Sequence, residues 1–352
     1  MKKDWEHLRS GLLFFYVHFV TEVMCFWLLG KYAGDSARMW LIPLAYDMLA
    51  FVPQALIGAV ADRFPKLQLG VIGLILMSSA VMIFPFVANP WISLLPLCIG
   101  NGCTHIDGAE TTLRASSGKL SPSAIFVSGG SFGVITGKLL SKTNLPGFVL
   151  VLLALTAVPF ALLAREDRLS ADRKKEVPCS AFRCSRANVP AVQIILLSVF
   201  VVIVRGYMGY GIPTSWNKTT LQTVLLFVTM GVGKALGGIL ADRFGVRRTA
   251  LCSAALALPF LLCGDRLMLV SLIGVLLFSM TMAVTLALLV SVLPNAPGLA
   301  FGLTTIGLFL GTAPIFFFRF TTVRANCIVL IVLTAVCLLA MYRILRKDER
   351  HA

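Results

Sequence analysis

The sequence predicts an all-α integral membrane protein, twelve transmembrane helices arranged as two pseudo-symmetric six-helix bundles. Three observations carry that prediction. Hydrophobic residues make up 58% of the 352 and charged residues 13%, with a mean hydropathy of +0.88. A soluble domain of this length cannot bury so much apolar surface, whereas a bilayer supplies the missing apolar solvent. Apolar runs near the roughly 20 residues that cross a bilayer core recur along the whole chain. Finally, Gly58-Ala-Val-Ala-Asp62-Arg63-Phe64 and Gly238-Ile-Leu-Ala-Asp242-Arg243-Phe244-Gly245 lie 180 residues apart, each closing an apolar run and opening a short basic loop. A unit repeated at half the chain length is the mark of an internally duplicated membrane fold.

Taken in order, the spans are expected at 11–30, 38–61, 67–88, 91–112, 122–141, 146–164, 190–210, 219–241, 249–264, 267–293, 298–318 and 325–342. The first run carries His18 and Glu22, has no small-residue cleavage pattern and ends in Gly30-Lys31-Tyr32, so it reads as a spanning helix and not a signal peptide. The polar stretch from Arg165 to Asn188 is charged in both signs and too polar to span, which divides the chain into an N-terminal bundle (1–164), a linker (165–189) and a C-terminal bundle (190–352). One offset of 180 superposes Asp62 on Asp242, Gly58 on Gly238, Gln54 on Lys234 and Gly118 on Gly298. A chance motif match would not serve three spans of each half.

The net charge of +15 is topological. With the N-terminus inside, the inner segments hold 21 Lys and Arg, the outer loops six (Lys31, Arg38, Lys142, Lys218, Arg266, Arg324) and the spans four. This inside-positive bias places both termini in the cytoplasm and gives no support to a nucleic-acid partner. Seven of the nine cysteines lie in apolar runs, where Cys behaves as a small hydrophobe, and Cys179 with Cys184 lacks a second pair or a His-rich tract. Neither a metal site nor a cofactor is expected.

The paired motif resembles that of the major facilitator superfamily, whose loop between helices 2 and 3 carries Gly-x-x-x-Asp-Arg-x-Gly and basic residues, often repeated between helices 8 and 9. The second copy here has Gly238, Asp242, Arg243, Gly245, Arg247 and Arg248, with Val246 where a first basic residue is common. The first has Pro65 in the last glycine position and Lys66 as its one basic residue. The resemblance implies two six-helix bundles rocking about a central site, that is, a secondary transporter of the plasma membrane, acting as a monomer on a small-molecule solute. It also implies that Asp62 faces the start of span 11 and Asp242 the start of span 5. A carboxylate at a helix N-terminus is stabilised by roughly 0.3–1 kcal/mol. Gly58 and Gly238 permit close helix approach. Arg63 and Arg243 are expected to hold the latch by pairing with acids across the interface, and Asp107, Glu110 and Arg114 to form a gate network at the inner end of span 4. The competing reading is a solvated turn with inside-positive charge.

Charge within the spans points to chemistry. Spans 3, 6, 9, 10 and 12 carry none, and four of those are the spans that the resemblance turns toward lipid. An ionised side chain in hydrocarbon is expensive, so the remaining charges should face water, solute or one another. His18 and Glu22, four apart, share a helix face and suit proton binding and release; Asp47 lies at mid-depth in span 2. Arg205, with Lys138, Lys234 and His18, is the expected solute-binding set, because a guanidinium matches a carboxylate or phosphate in two hydrogen bonds. The alternative for Arg205 is a salt bridge to Glu22 or Asp47. Arg319, near the outer surface, reads as a snorkelling charge. Span 5 carries Gly129, Gly130, Gly133 and Gly137, similar to the glycine motif of drug–proton antiporters but without its proline. The arginine those antiporters carry in span 4 is replaced by Ile99-Gly100-Asn101-Gly102. The solute is therefore expected to be small, polar and acidic or zwitterionic. Export of cationic amphiphiles through Glu22 and Asp47, and a non-transporting sensor on the same fold, stay open as alternatives. The signature His-Glu-x-x-His does not occur, and the Gly-x-Ser-x-Gly spacing at Gly129–Gly133 falls inside apolar span 5 and not on a strand-to-helix turn, so neither supports a lipid enzyme.

Overall fold

The computed structural model describes residues 2–32, 40–173, 186–318, 320 and 322–345. Among them the chain is helical, with one isolated bridge between Arg186 and Leu345. Fourteen α-helices build twelve spans. The first six spans are α1 (Lys2–Tyr32), α2 with α3 (Leu41–Phe51, Gln54–Arg63), α4 (Leu69–Ile83), α5 (Pro90–Arg114), α6 (Ser121–Leu140) and α7 (Gly147–Arg173). The second six are α8 (Ala191–Gly211), α9 (Thr220–Phe244), α10 (Val246–Cys263), α11 with α12 (Met268–Met280, Met282–Val292), α13 (Pro297–Thr312) and α14 (Val323–Ile344). Arg319, Cys179 and Cys184 lie outside the described residues.

Two spans are broken, each for a readable reason. Pro53 has no N–H to continue the ladder and sits at the start of α3, which splits span 2. Thr281 separates α11 from α12 and returns its hydroxyl to the Phe278 carbonyl at 3.0 Å. Proline also tightens the ends of spans 3 and 11 into 3₁₀ turns, at Phe84–Phe86 and Ala313–Phe316.

Eleven of the twelve spans are apolar enough to cross a bilayer on composition alone. The exception is α5. At 25 residues it is long enough, but Asn101, Thr104, His105, Asp107, Glu110, Thr111 and Thr112 are all buried within it. It forms the polar spine of the first bundle, packed against α1, α3, α4, α6 and α7. The apolar side chains left exposed, such as Ile75, Leu155, Leu256 and Leu339 on α4, α7, α10 and α14, make the surface that lipid covers. The expected end of span 6 at 164 is moved by the structure: α7 continues to Arg173, and Arg168, placed by its sequence in a polar linker, is only 2% exposed.

The bundles meet along α6 with α9 and along α13 with α2 and α3. Gly58 lies directly against the backbone of Gly298, so close that a Cβ on either would collide with the other's main chain. Gly238 is placed in the same way against Ala124 and Leu120.

Candidate functional site

Asp62 and Asp242 each terminate a span by reaching across to the other bundle. The Asp62 carboxylate accepts from the Gly298 N–H at 3.0 Å and the Leu299 N–H at 2.9 Å, in the first turn of α13. Asp242 accepts from Leu120 N at 2.7 Å and Ser121 N at 2.9 Å, where α6 begins. The first N–H groups of a helix have no partner of their own, so a carboxylate there both satisfies donors and meets the positive end of the dipole. Gly245 follows with φ 91, a conformation open to glycine, and ends α9. The first copy leaves its span through Phe64 at φ −121, and Pro65, in place of that glycine, is not among the described residues with positive φ.

The two joints are not equivalent. Arg114 reaches Asp62 Oδ1 at 3.7 Å and Glu110 Oε1 at 3.0 Å. Glu110 Oε1 also accepts from Arg168 Nη2 at 2.5 Å, and Arg168 lies 3.7 Å from Asp107 Oδ1. Asp107 Oδ2 then accepts from the Gly70 N–H at 2.9 Å, at the start of α4. A continuous polar chain therefore runs from α13 through α3, α5 and α7 to α4. At the offset of 180, Asp107, Glu110 and Arg114 correspond to Ala287, Val290 and Pro294, so the second half cannot build it. Arg63 and Arg243, expected to hold the joints, are exposed; Arg243 lies over the ring of its neighbour Phe244, and neither makes an ion pair among the described residues. At the Asp62 joint, Arg114 on α5 makes the pairing expected of Arg63, and Arg168 on α7 extends it to Glu110 and Asp107.

At mid-depth, α1 and α5 form a second, separate cluster. His18 and Glu22 face His105, whose ring lies 4.4 Å from that of His18, centre to centre, at 76°. Glu22 Oε1 is 3.7 Å from His18 Nε2, 3.4 Å from His105 Nε2 and 3.1 Å from the Asn101 amide nitrogen that donates to it. The same amide nitrogen lies 3.1 Å from the Tyr46 hydroxyl. All of these side chains are buried. Phe126 and, from the other bundle, Phe301 stack about the histidines and separate the cluster from the joints below. Gly130 on α6 is what lets the His18 ring lie flat against that helix, since a Cβ there would occupy the imidazole's place.

The expected cations are divided. Lys234 of α9 donates to Ser131 Oγ of α6 at 2.8 Å. Lys138 of α6 lies over Phe26 at 5.3 Å and Phe227 at 5.0 Å, the latter in the other bundle. Among the described residues neither lysine has a carboxylate within ion-pair distance. Arg205 lies apart from them, inside the second bundle between α8, α10, α11 and α14. It donates to the Phe278 carbonyl at 3.0 Å and covers the Phe278 ring at 5.0 Å, with no ion pair to Glu22 or Asp47. Asp47 is half-buried on α2, with no hydrogen bond or ion pair among the described residues.

With this geometry in place, solved structures can be compared. The human organic anion transporter MFSD10 (TETRAN) is 17% identical with a TM-score of 0.62, the alignment covering 96% of this chain and 97% of that one. The E. coli fucose:proton symporter FucP is 15% identical with a TM-score of 0.63, covering 97% and 100%. A second FucP structure, a major facilitator superfamily transporter in the outward conformation, is 13% identical with a TM-score of 0.57, covering 97% and 98%. This is the major facilitator fold. The likeness is carried by structure: no family model and no curated protein matches the sequence.

Sequence reasoning did not connect His105 or Asn101 to His18 and Glu22. The signal was present, because Asn101 and His105 are themselves four apart and so share one face of α5, as His18 and Glu22 do on α1. Arg168 was hidden by its acidic and basic neighbours.

Proposed function

We propose that this multi-pass membrane protein is a secondary active transporter. It carries a small polar solute, acidic or zwitterionic, by alternating access and coupled to protons, in the plasma membrane with both termini cytoplasmic. The observation that carries the reading is the seam between α6 and α9. There Lys234 and Lys138, one from each bundle, have no ion-paired carboxylate among the described residues. Cations held without counter-ions at membrane depth call for an anion from outside the chain. Such a ligand, held between the bundles, would couple its own binding to their rocking. Glu22, beside His18, and the unpaired Asp47 are the proposed proton carriers. Asp62 and Asp242, with Gly58, Gly238, Asp107, Glu110 and Arg114, form the proposed latch on the cytoplasmic face. Arg205 is engaged by Phe278 and is left out of the solute site; Arg63 and Arg243 serve as topological charges. That one structural neighbour is named an organic anion transporter and another a proton symporter agrees with this reading.

The test is thermal stability of the purified protein against a panel of small anions, zwitterions and cations, since any ligand of the folded state must raise it. Stabilisation by acidic solutes that disappears in Lys234→Ala is expected. Stabilisation by cations alone, unchanged in the variant, overturns the solute class and favours export of cationic amphiphiles. A stabilising solute that then fails to cross a proteoliposome membrane under a proton gradient would identify a sensor instead.

A further inference from the structure

The buried histidines are oriented by bonds that leave their other nitrogens facing one another. His18 Nδ1 is 2.9 Å from the Phe126 carbonyl, and His105 Nδ1 is 2.9 Å from the carbonyl of Asn101. A carbonyl can only accept, so each ring carries its proton on Nδ1 and presents the Nε2 lone pair to the interior. Both Nε2 atoms lie near one oxygen, Glu22 Oε1, at 3.7 and 3.4 Å. Three acceptor atoms gathered this closely repel unless a cation lies among them.

The spacing says which cation. A charge-assisted N–H···O bond closes to about 2.7–2.9 Å, and both contacts here are far longer. Bonds of about 2.0–2.2 Å from zinc to imidazole nitrogen and carboxylate oxygen set neighbouring ligands of a tetrahedron about 3.3–3.5 Å apart. The observed separations fall at that value or slightly beyond it, and the three ligand atoms all lie within 4.8 Å of one another. A backbone carbonyl on the far nitrogen is also the support that metal-bound imidazoles ordinarily have. The carboxylate is supported in the same way, by the Asn101 amide, whose own Oδ1 is buried with no partner among the described residues.

We propose that His18, Glu22 and His105 form a buried three-ligand site for one divalent transition-metal ion of the zinc class. Two imidazoles and one carboxylate suit zinc, cobalt and copper, and not the all-oxygen shells of magnesium or calcium. Three protein ligands leave a fourth position for water or a donor atom of a solute. The site stands independently of the transport reading, because it requires binding and no flux. Where both hold, the metal takes up the lone pairs that a proton on this cluster would use.

The full chain in detergent, stripped with chelator, is titrated with Zn²⁺ by calorimetry and with Co²⁺ by absorption. One ion per chain is expected, with visible cobalt bands and no near-ultraviolet thiolate band. Binding should weaken at least about tenfold in His105→Gln and in Glu22→Gln. It should persist in a variant carrying Cys179→Ser, Cys184→Ser, His7→Ala and His351→Ala, which removes the other histidines and the loop thiols. Melting without metal verifies that each variant is folded; if Glu22→Gln is not, His18→Gln and His105→Gln decide by the same criterion. No stoichiometric binding to the native chain, a thiolate band, or binding unchanged in the ligand variants overturns the proposal.

Discussion

Replacing Arg168 by Met tests the polar chain directly. Methionine keeps much of the stem and its packing while removing a guanidinium that is 2% exposed. Glu110, with no exposed side-chain area, would lose the shorter of its two arginine contacts, at 2.5 Å, and keep Arg114 at 3.0 Å. Asp107 would lose a partner at 3.7 Å and keep the Gly70 N–H. Taking one member from a buried ion pair costs about 3–5 kcal/mol, because the other charge stays behind in a dry site. Since both acids retain one partner, the low end applies, about 3 kcal/mol. Reversible unfolding in mixed detergent micelles measures the loss. Adding Glu110→Gln removes the stranded charge, so the double variant should be more stable than the two single losses predict, by about 1–3 kcal/mol. A loss under about 1 kcal/mol for Arg168→Met, within the range of exposed pairs, or strict additivity in the cycle, would refute the view that these groups act as one buried network.

Other outcomes follow from the same geometry. Asp62→Ala should destabilise the chain more than Asp242→Ala, because it removes one ion-pair partner of Arg114 as well as the acceptor of two helix N–H groups; capping loss alone is about 0.5–2 kcal/mol, and equal unfolding free energies for the two variants would contradict this. Gly58→Val should prevent the closed arrangement at the Gly298 backbone, read as faster proteolysis at the neighbouring Arg63; an unchanged cleavage rate counts against close packing there. Gly130→Ala should displace the His18 ring and weaken metal binding at the cluster without touching any ligand, which calorimetry on the folded variant can verify. Arg205→Met should lower stability yet leave solute-dependent stabilisation intact, and loss of that stabilisation would return Arg205 to the solute site.

The architecture was legible because it rests on long-range averages. Hydropathy placed the spans, and the duplicated Gly-x-x-x-Asp-Arg turn placed the halves. Side-chain partnerships were legible only where one helix face supplied both members, as with His18 and Glu22. Partners brought together by tertiary packing escaped: nothing within α7 announces that Arg168 turns inward, since local composition there is that of a solvated loop. Arg205 is the complementary case. A lone arginine in an apolar run advertises a counter-ion, but a backbone carbonyl and an aromatic face engaged it instead.

The polarity of α5 bears on how the chain enters a membrane at all. Acidic and basic residues at the centre of a segment oppose partition into lipid by about 2.5–3.5 kcal/mol each, and α5 carries three charged residues, Asp107, Glu110 and Arg114, between its middle and one end. Synthesised in order, it emerges directly after α4, whose first turn holds the Gly70 N–H that Asp107 accepts, whereas Arg168 is still some fifty residues from being made. The fourth span is thus the one least suited to enter lipid alone: Glu110 has Arg114 on its own helix, but the arginine that faces both acids belongs to the sixth span.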